Sequence, residues 1–204
     1  MAPQKVVRSP LDLHTLILLR ALVPYRKLNH AEALFFAEQQ AAVLLQLVQV
    51  FEPPVDVEQI ALDAGIVGAI RDDPLQRKRG KSSFNQTSDS WLITLSPQGR
   101  SDSGEFVVAH EVKHILDNGF GELLYRPVDF MATEYRREHA ANYFAACLTM
   151  PRPWLERFWQ KGGCNATELS QHFNVPAGCM QFRLEALGMI RTETEGSGVD
   201  EIGY

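Results

Sequence analysis

Apolar residues in the first fifty positions recur at helical spacing. Leu13, Leu16, Ile17 and Arg20 mark one face of an amphipathic helix ending near Pro24, and Leu34, Ala37, Ala41, Leu44, Leu45 and Val48 stripe a second, from Asn29 as its cap to Phe51. Pro53-Pro54 interrupts that stripe, and Asp56 caps a short third helix that Gly65 stops. The period then changes. Residues 66–70, 82–86 and 91–96 have the length and composition of strands, with Thr87-Ser88-Asp89 as turn chemistry, which predicts a small, mostly antiparallel three-stranded sheet. Helical periodicity returns with Phe106, Val107, Val108, Ala109, Val112, Ile115 and Leu116. Asp102 and Glu105 have capping-box spacing before this run, and Asn118-Gly119 ends it. Further helices are expected over about 132–150, over 153–161 before Gly162-Gly163, after an Asn165-to-Glu168 cap, and from Val175-Pro176 to near Gly188. The fold class is therefore α+β, mostly helical with a small sheet.

Composition narrows this picture. The length of 204 residues suits one domain with at most a small appendage, and 45% hydrophobic content is ample for a core. Lys5 and Arg8 precede an apolar run over 11–23, but Asp12, His14 and Arg20 interrupt it and no small-residue cleavage site follows, so neither a signal peptide nor a membrane span is expected. Cys147, Cys164 and Cys179 are widely spaced and odd in number, as for apolar residues of a reducing compartment, and the expected location is cytoplasmic. A formal charge of −5 gives no general attraction to nucleic acid. Against it, Arg71, Arg77, Lys78, Arg79 and Lys81 form a local basic run, either a solvated hairpin loop or a docking surface for an acidic partner.

The candidate chemistry lies in His110-Glu111-Val112-Lys113-His114. Two histidines four apart share one helix face, the spacing at which a single Zn²⁺ takes an imidazole nitrogen from each, while Glu111 lies round the helix as a general base. A hydrolytic zinc site has three protein ligands and keeps its fourth position open. The next helix offers Glu134, Glu138 and His139 for the third. Glu138 is preferred because it shares a face with Ala141, Asn142 and Ala145, whose small size lets the two helices approach; Glu134 lies one turn earlier on that stripe, and His139 points about 100° away. Zn²⁺ is the expected cofactor, with Mn²⁺ a substitute in vitro. Tyr125, Tyr135, His139 and Tyr143 are candidates to stabilise an oxyanion, and Asn142 and Asp117 to orient the histidines. The strand at 91–96, or its neighbour, is placed to offer an edge along which an extended substrate could add itself.

The run from Glu138 through Ala141-Asn142, Phe144-Ala145 and Leu148 to Met150-Pro151 resembles the second signature of the ImmA/IrrE metallopeptidases, which there follows a His-Glu-x-x-His helix as it does here. The resemblance extends from Pro54-Val55-Asp56 to Arg183 through Ile190. It implies a bacterial or mobile-element zinc endopeptidase of the zincin type that cuts a helix-turn-helix transcriptional repressor and so releases repressed genes. It also implies metal ligation by His110, His114 and Glu138, with Glu111 as base. Two positions depart from the family pattern: Lys113 replaces a common glycine, placing a cation beside His114, and Ala140 replaces a common glutamate.

These readings divide the chain into an N-terminal helical extension (1–28), a metallopeptidase core (29–151), a C-terminal helical segment (152–190) and a flexible tail (191–204). The C-terminal pair of helices reads like a helix-turn-helix, but Arg183 is the one cation on its second helix, so no direct nucleic-acid partner is expected. The rivals to a peptidase are a zinc-holding module that sequesters a repressor uncut and, with less support, a DNA-binding regulator. Retention of Glu111 favours the enzyme.

Overall fold

The structure is a computed structural model that describes residues 10–125, 133–160 and 165–190, with the side chains of 10–13 and of Asp102 excepted. The expectations for Lys5, Arg8, Leu13, Asp102, Gly162-Gly163, Cys164 and the tail lie outside what it describes.

In chain order the elements are α1 (Pro10–Ala21), α2 (His30–Leu47), α3 (Val57–Asp63), β1 (Ala69–Asp72), β2 (Gly80–Asn85), β3 (Ser90–Leu95), α4 (Pro97–Asp117), α5 (Gly121–Leu124), α6 (Thr133–Thr149), α7 (Arg152–Gln160), α8 (Ala166–Phe173) and α9 (Ala177–Ala186). Local chemistry sets several starts. Asn29 and Asn165 make full capping boxes with Glu32 and Glu168, and Asp56 accepts from the Gln59 amide. The stops at Gly65 and Gly188 adopt φ of +63° and +69°, a region glycine enters without steric cost.

The sheet is mixed, in the order β1-β3-β2. β2 pairs with β3 antiparallel from Gly80↔Leu95 to Asn85↔Ser90, whereas β1 pairs with it in parallel over the shorter stretch Ala69↔Leu92 to Asp72↔Leu95. So the strand nearest in sequence to α4 is the central one, and β2 is the edge that lies over that helix. Gly80 shows how closely: a Cβ there would sit 2.6 Å from Val107 Cγ1 and 3.0 Å from Glu111 Cγ.

α4 begins earlier than the capping-box spacing predicts. Ser96 caps it, accepting from the Gly99 amide, with Pro97 in the first turn, and the helix kinks at Ser103. Glu105, expected to cap its own helix, instead accepts from the amides of Val57 and Glu58 and so caps α3. The first-helix stripe also differs from expectation, since Leu19 is fully buried while Ile17 is exposed. Arg20 turns inward and donates to the carbonyls of Ile115 (2.8 Å), which also accepts from the Asn118 amide, and Leu116 (3.1 Å) in the last turn of α4, where intrahelical donors run out.

The main core joins Leu19, Ala37, Ala41 and Leu44 to Ile93, Leu95, Val108, Val112, Ile115 and Phe144. A second cluster, built on Met150, Leu155, Leu169, Phe173, Met180 and Leu184, holds α7, α8 and α9 together. Arg183, the one cation on α9, is 2% exposed and donates to Met150 O and Cys147 Sγ, so it offers no charge to a partner. Among the described residues, no helix is long and apolar enough to cross a membrane.

Candidate metal centre

One turn separates His110 from His114 on α4, and their Nε2 atoms lie 2.9 Å apart. α6 brings the third group. Ala141 and Ala145 on it have no exposed surface, and this lack of bulk lets the backbone of α6 come close to α4. Glu138 then reaches both rings, with Oε2 at 3.2 Å from His110 Nε2 and Oε1 at 3.3 Å from His114 Nε2. Zinc bonds of about 2.0–2.1 Å in tetrahedral geometry imply ligand separations of about 3.3–3.4 Å. The observed triangle is close to one face of that tetrahedron, and two imidazoles with one carboxylate are donors zinc accepts. Among the described residues this is the one group of three or more such side chains that could hold a metal ion.

The other two candidates on α6 do not join it. Glu134 is largely exposed and pairs with Arg137 at 3.7 Å, and His139 hydrogen-bonds His30 at 2.8 Å. Asn142 does take an orienting position, its Oδ1 lying 2.8 Å from His110 Nδ1. A proton on Nδ1 there leaves Nε2 free to face Glu138 and His114. Asp117 does not play that part. It accepts from Lys113 and from the Tyr125 hydroxyl in a buried cluster that Gln40 completes, its Oε1 receiving Lys113 Nζ at 3.0 Å. Lys113, expected as a cation beside His114, is thus 1% exposed and committed to Gln40 and Asp117 instead.

Electrostatics follow from these contacts. Hydrogen bonds from His110 and His114 hold the Glu138 carboxyl well below the usual carboxylate range, against the opposing effect of burial. Burial alone would lower the pKa of His110, but Glu138 and Asn142 together carry it above its ordinary 6.5.

Glu111 is buried at the same pocket, and its Oε2 accepts from the Ser82 amide at 2.8 Å. That bond is informative about the sheet. The Ser82 N–H points away from β3, so the unpaired edge of β2 faces the pocket. The pocket, about 420 Å³, is lined by His110, Glu111, His114, Glu138 and Asn142, by residues 78–82, by the exposed Glu134, and by Arg137, whose Nε donates to His114 Nδ1 at 3.3 Å. An apolar cavity of about 310 Å³ adjoins it, sharing Phe106 and Asn142 and walled by α9.

The four oxyanion candidates lie elsewhere. Tyr143 donates to Glu38 at 3.1 Å, Tyr125 to buried Asp117, and Tyr135 stands exposed beside His139. The polar groups that do line the pocket and escaped sequence reasoning are Ser82 and Arg137. Gly80 escaped it too, although a glycine inside a strand-like segment is a known sign of close backbone approach.

The family model described as an IrrE N-terminal-like peptidase domain matches residues 61–185. Among solved structures, a Mycobacterium tuberculosis transcriptional regulator has the same fold, with a TM-score of 0.56 at 18% sequence identity. The alignment covers 73% of this chain and 55% of that one, so this chain spans about half the length of that regulator. No curated protein matches the sequence.

Proposed function

Starting from the fact that the chain belongs to the IrrE N-terminal-like peptidase family, we propose that it is a zinc-dependent endopeptidase of the cytoplasm. Its substrate is a regulatory protein, a helix-turn-helix transcriptional repressor, and cleavage releases the repressed genes. His110, His114 and Glu138 hold the metal, and Glu111 is the general base. The observation that carries this reading is the triangle of two Nε2 atoms and one carboxylate, 2.9 to 3.3 Å on a side, with a second carboxylate held beside it by a strand amide.

A zinc ion at that position would polarise the scissile carbonyl and make a water acidic enough to lose its proton near neutral pH. The rest falls to the chain's own groups. Glu111 accepts that proton on the oxygen Ser82 leaves free and passes it to the departing amine. Asn142 fixes the ring of His110 so that Nε2 and not Nδ1 faces the site. The unpaired edge of β2 aligns an extended substrate by main-chain hydrogen bonds, which places its peptide bond over Glu111.

The test uses zinc-loaded protein and a candidate repressor encoded beside it, read by intact mass, with Glu111→Gln as control. Two fragments from the wild type and none from the variant are expected. A stable complex left uncut by both would replace the peptidase with a sequestering module.

A further inference from the structure

The basic run at 71–81 takes on a definite place once β2 is seen to be the edge strand. Arg71, Arg77, Lys78, Arg79 and Lys81 are all exposed, and Lys78, Arg79 and Lys81 line the wall of the metal pocket that β2 forms. The acids nearest in sequence are engaged elsewhere. Asp72 pairs with Arg100 at 2.9 Å, and Asp73 accepts from the Leu75 amide. Among the described residues, Arg71, Arg77, Lys78 and Lys81 have no carboxylate within ion-pair distance. An acidic protein of net charge −5 thus carries two lysines, Lys78 and Lys81, without a carboxylate partner at the lip of its pocket.

We infer that the polypeptide cut here carries aspartate or glutamate next to its scissile bond, on the residues that lie along 77–81, and that Lys78 and Lys81 set this preference. The inference rests on the peptidase reading and adds the chemistry of the substrate to it. The occupant follows from charge on both surfaces of the pocket. Besides the Glu138 set aside for the metal, the pocket presents the carboxylates of Glu111 and of exposed Glu134, which oppose a phosphodiester backbone laid along it. A peptide offers those groups an uncharged main chain and can place carboxylates only where they meet the lip. Exposed pairs of this kind change affinity by about two- to fivefold each at low salt and less as salt rises.

The experiment digests a proteome-derived peptide mixture with zinc-loaded wild type and with a Lys78→Gln, Lys81→Gln double variant, and reads cleavage sites by mass spectrometry. In parallel, the anisotropy of a fluorescein-labelled Glu-rich decapeptide, its Gln counterpart and a labelled DNA duplex measures binding to both proteins. Asp and Glu enriched on one side of the cut in the wild type, with the enrichment lost in the variant, are expected. So is binding of the acidic decapeptide weakened about three- to thirtyfold in the variant and in 0.5 M salt. Cuts without acidic enrichment, an enrichment the variant retains, or tighter binding of DNA than of the acidic peptide would each overturn the inference and leave the peptidase reading standing. Absence of any cut by the wild type would instead strike the peptidase reading, and the decapeptide titration would still decide whether the lip selects acidic chains.

Discussion

Replacing Gly80 by alanine tests how Glu111, the proposed general base, is held. The new methyl carbon would stand 2.6 Å from Val107 Cγ1, 3.0 Å from Glu111 Cγ and 3.1 Å from Glu111 Oε1. The first separation cannot persist between carbon atoms, so something must yield. β2 is tied to β3 along its whole length, and α4 is anchored by Val108, Ala109 and Ile115, none of which has exposed surface. The displacement therefore falls on the Val107 rotamer and on the Glu111 carboxylate, which gives up part of its 2.8 Å bond from Ser82. Overpacking of this size costs about 1–3 kcal/mol of stability, or roughly 3–10 °C in Tm for a chain of this length. A shift approaching 1 Å in a reacting group costs about 100-fold in rate. Gly80→Ala is accordingly expected to lower kcat by about 10- to 100-fold in a protein that still melts cooperatively. Its zinc content should match the wild type, because the atoms nearest the new carbon belong to Val107 and Glu111 and not to His110, His114 or Glu138. Steady-state cleavage, thermal melting and metal analysis on one preparation measure all three. A folded variant with full kcat would refute the claim that β2 positions Glu111, and one that lost zinc while keeping its fold would refute the assignment of the strand to the base.

Glu138→Gln should weaken zinc binding, read by chelator competition, by more than about 100-fold, the upper end of what a change outside the ligand shell costs. Zinc affinity should rise with pH. In the metal-free protein His110 keeps its proton to a pH above the ordinary 6.5, so binding must expel it, and the dissociation constant measured between pH 6 and 8 should fall by at most about tenfold per unit for each proton released. The same linkage fixes the stability of the metal-free form. The His110 contribution is full below its unfolded value and lost as pH rises through the raised one, and the Glu138 contribution is present above 4.5 and lost as pH falls through its depressed value, so melts at pH 5, 7 and 9 should peak on the acid side of neutrality. Arg137→Met should tighten zinc binding by about two- to tenfold in a calorimetric titration, because a histidine ligating through Nε2 carries its proton on Nδ1 and cannot accept there from Arg137. Lys113→Met should destabilise the fold by about 3–5 kcal/mol in urea unfolding, since it leaves Asp117 a buried charge without its cation.

What could be read in the sequence was what neighbouring residues decide among themselves. The caps at Asn29, Asp56 and Asn165 act within four residues, and each stands where its spacing put it. Helical geometry alone put His110 and His114 on one face, and the alanines beside Glu138 marked the side on which α6 could come close. What could not be read were choices between distant partners. Glu105 has the spacing to cap its own helix, but two amides of α3 offer it a better-satisfied site. Lys113 follows the helix round to a buried face, where Asp117 and Gln40 make a cation tolerable; nothing local distinguishes that from a surface lysine beside a ligand. The strand order is of the same kind. β1 passes over its sequence neighbour to pair with β3 in parallel, which leaves β2 as the edge above Glu111 and gives Gly80 its purpose.

The bonds from Arg20 to Ile115 and Leu116 span 95 and 96 positions of chain. A polypeptide leaving the ribosome releases α1 and α2 long before α4, so the guanidinium that finishes the histidine-bearing helix is already waiting when that helix emerges. Glu138 and Asn142 arrive later still, on a helix that packs against both α2 and α4. The candidate metal centre is therefore completed only once the chain has been made past Asn142, and its first-made parts serve as the bench on which the last is fitted.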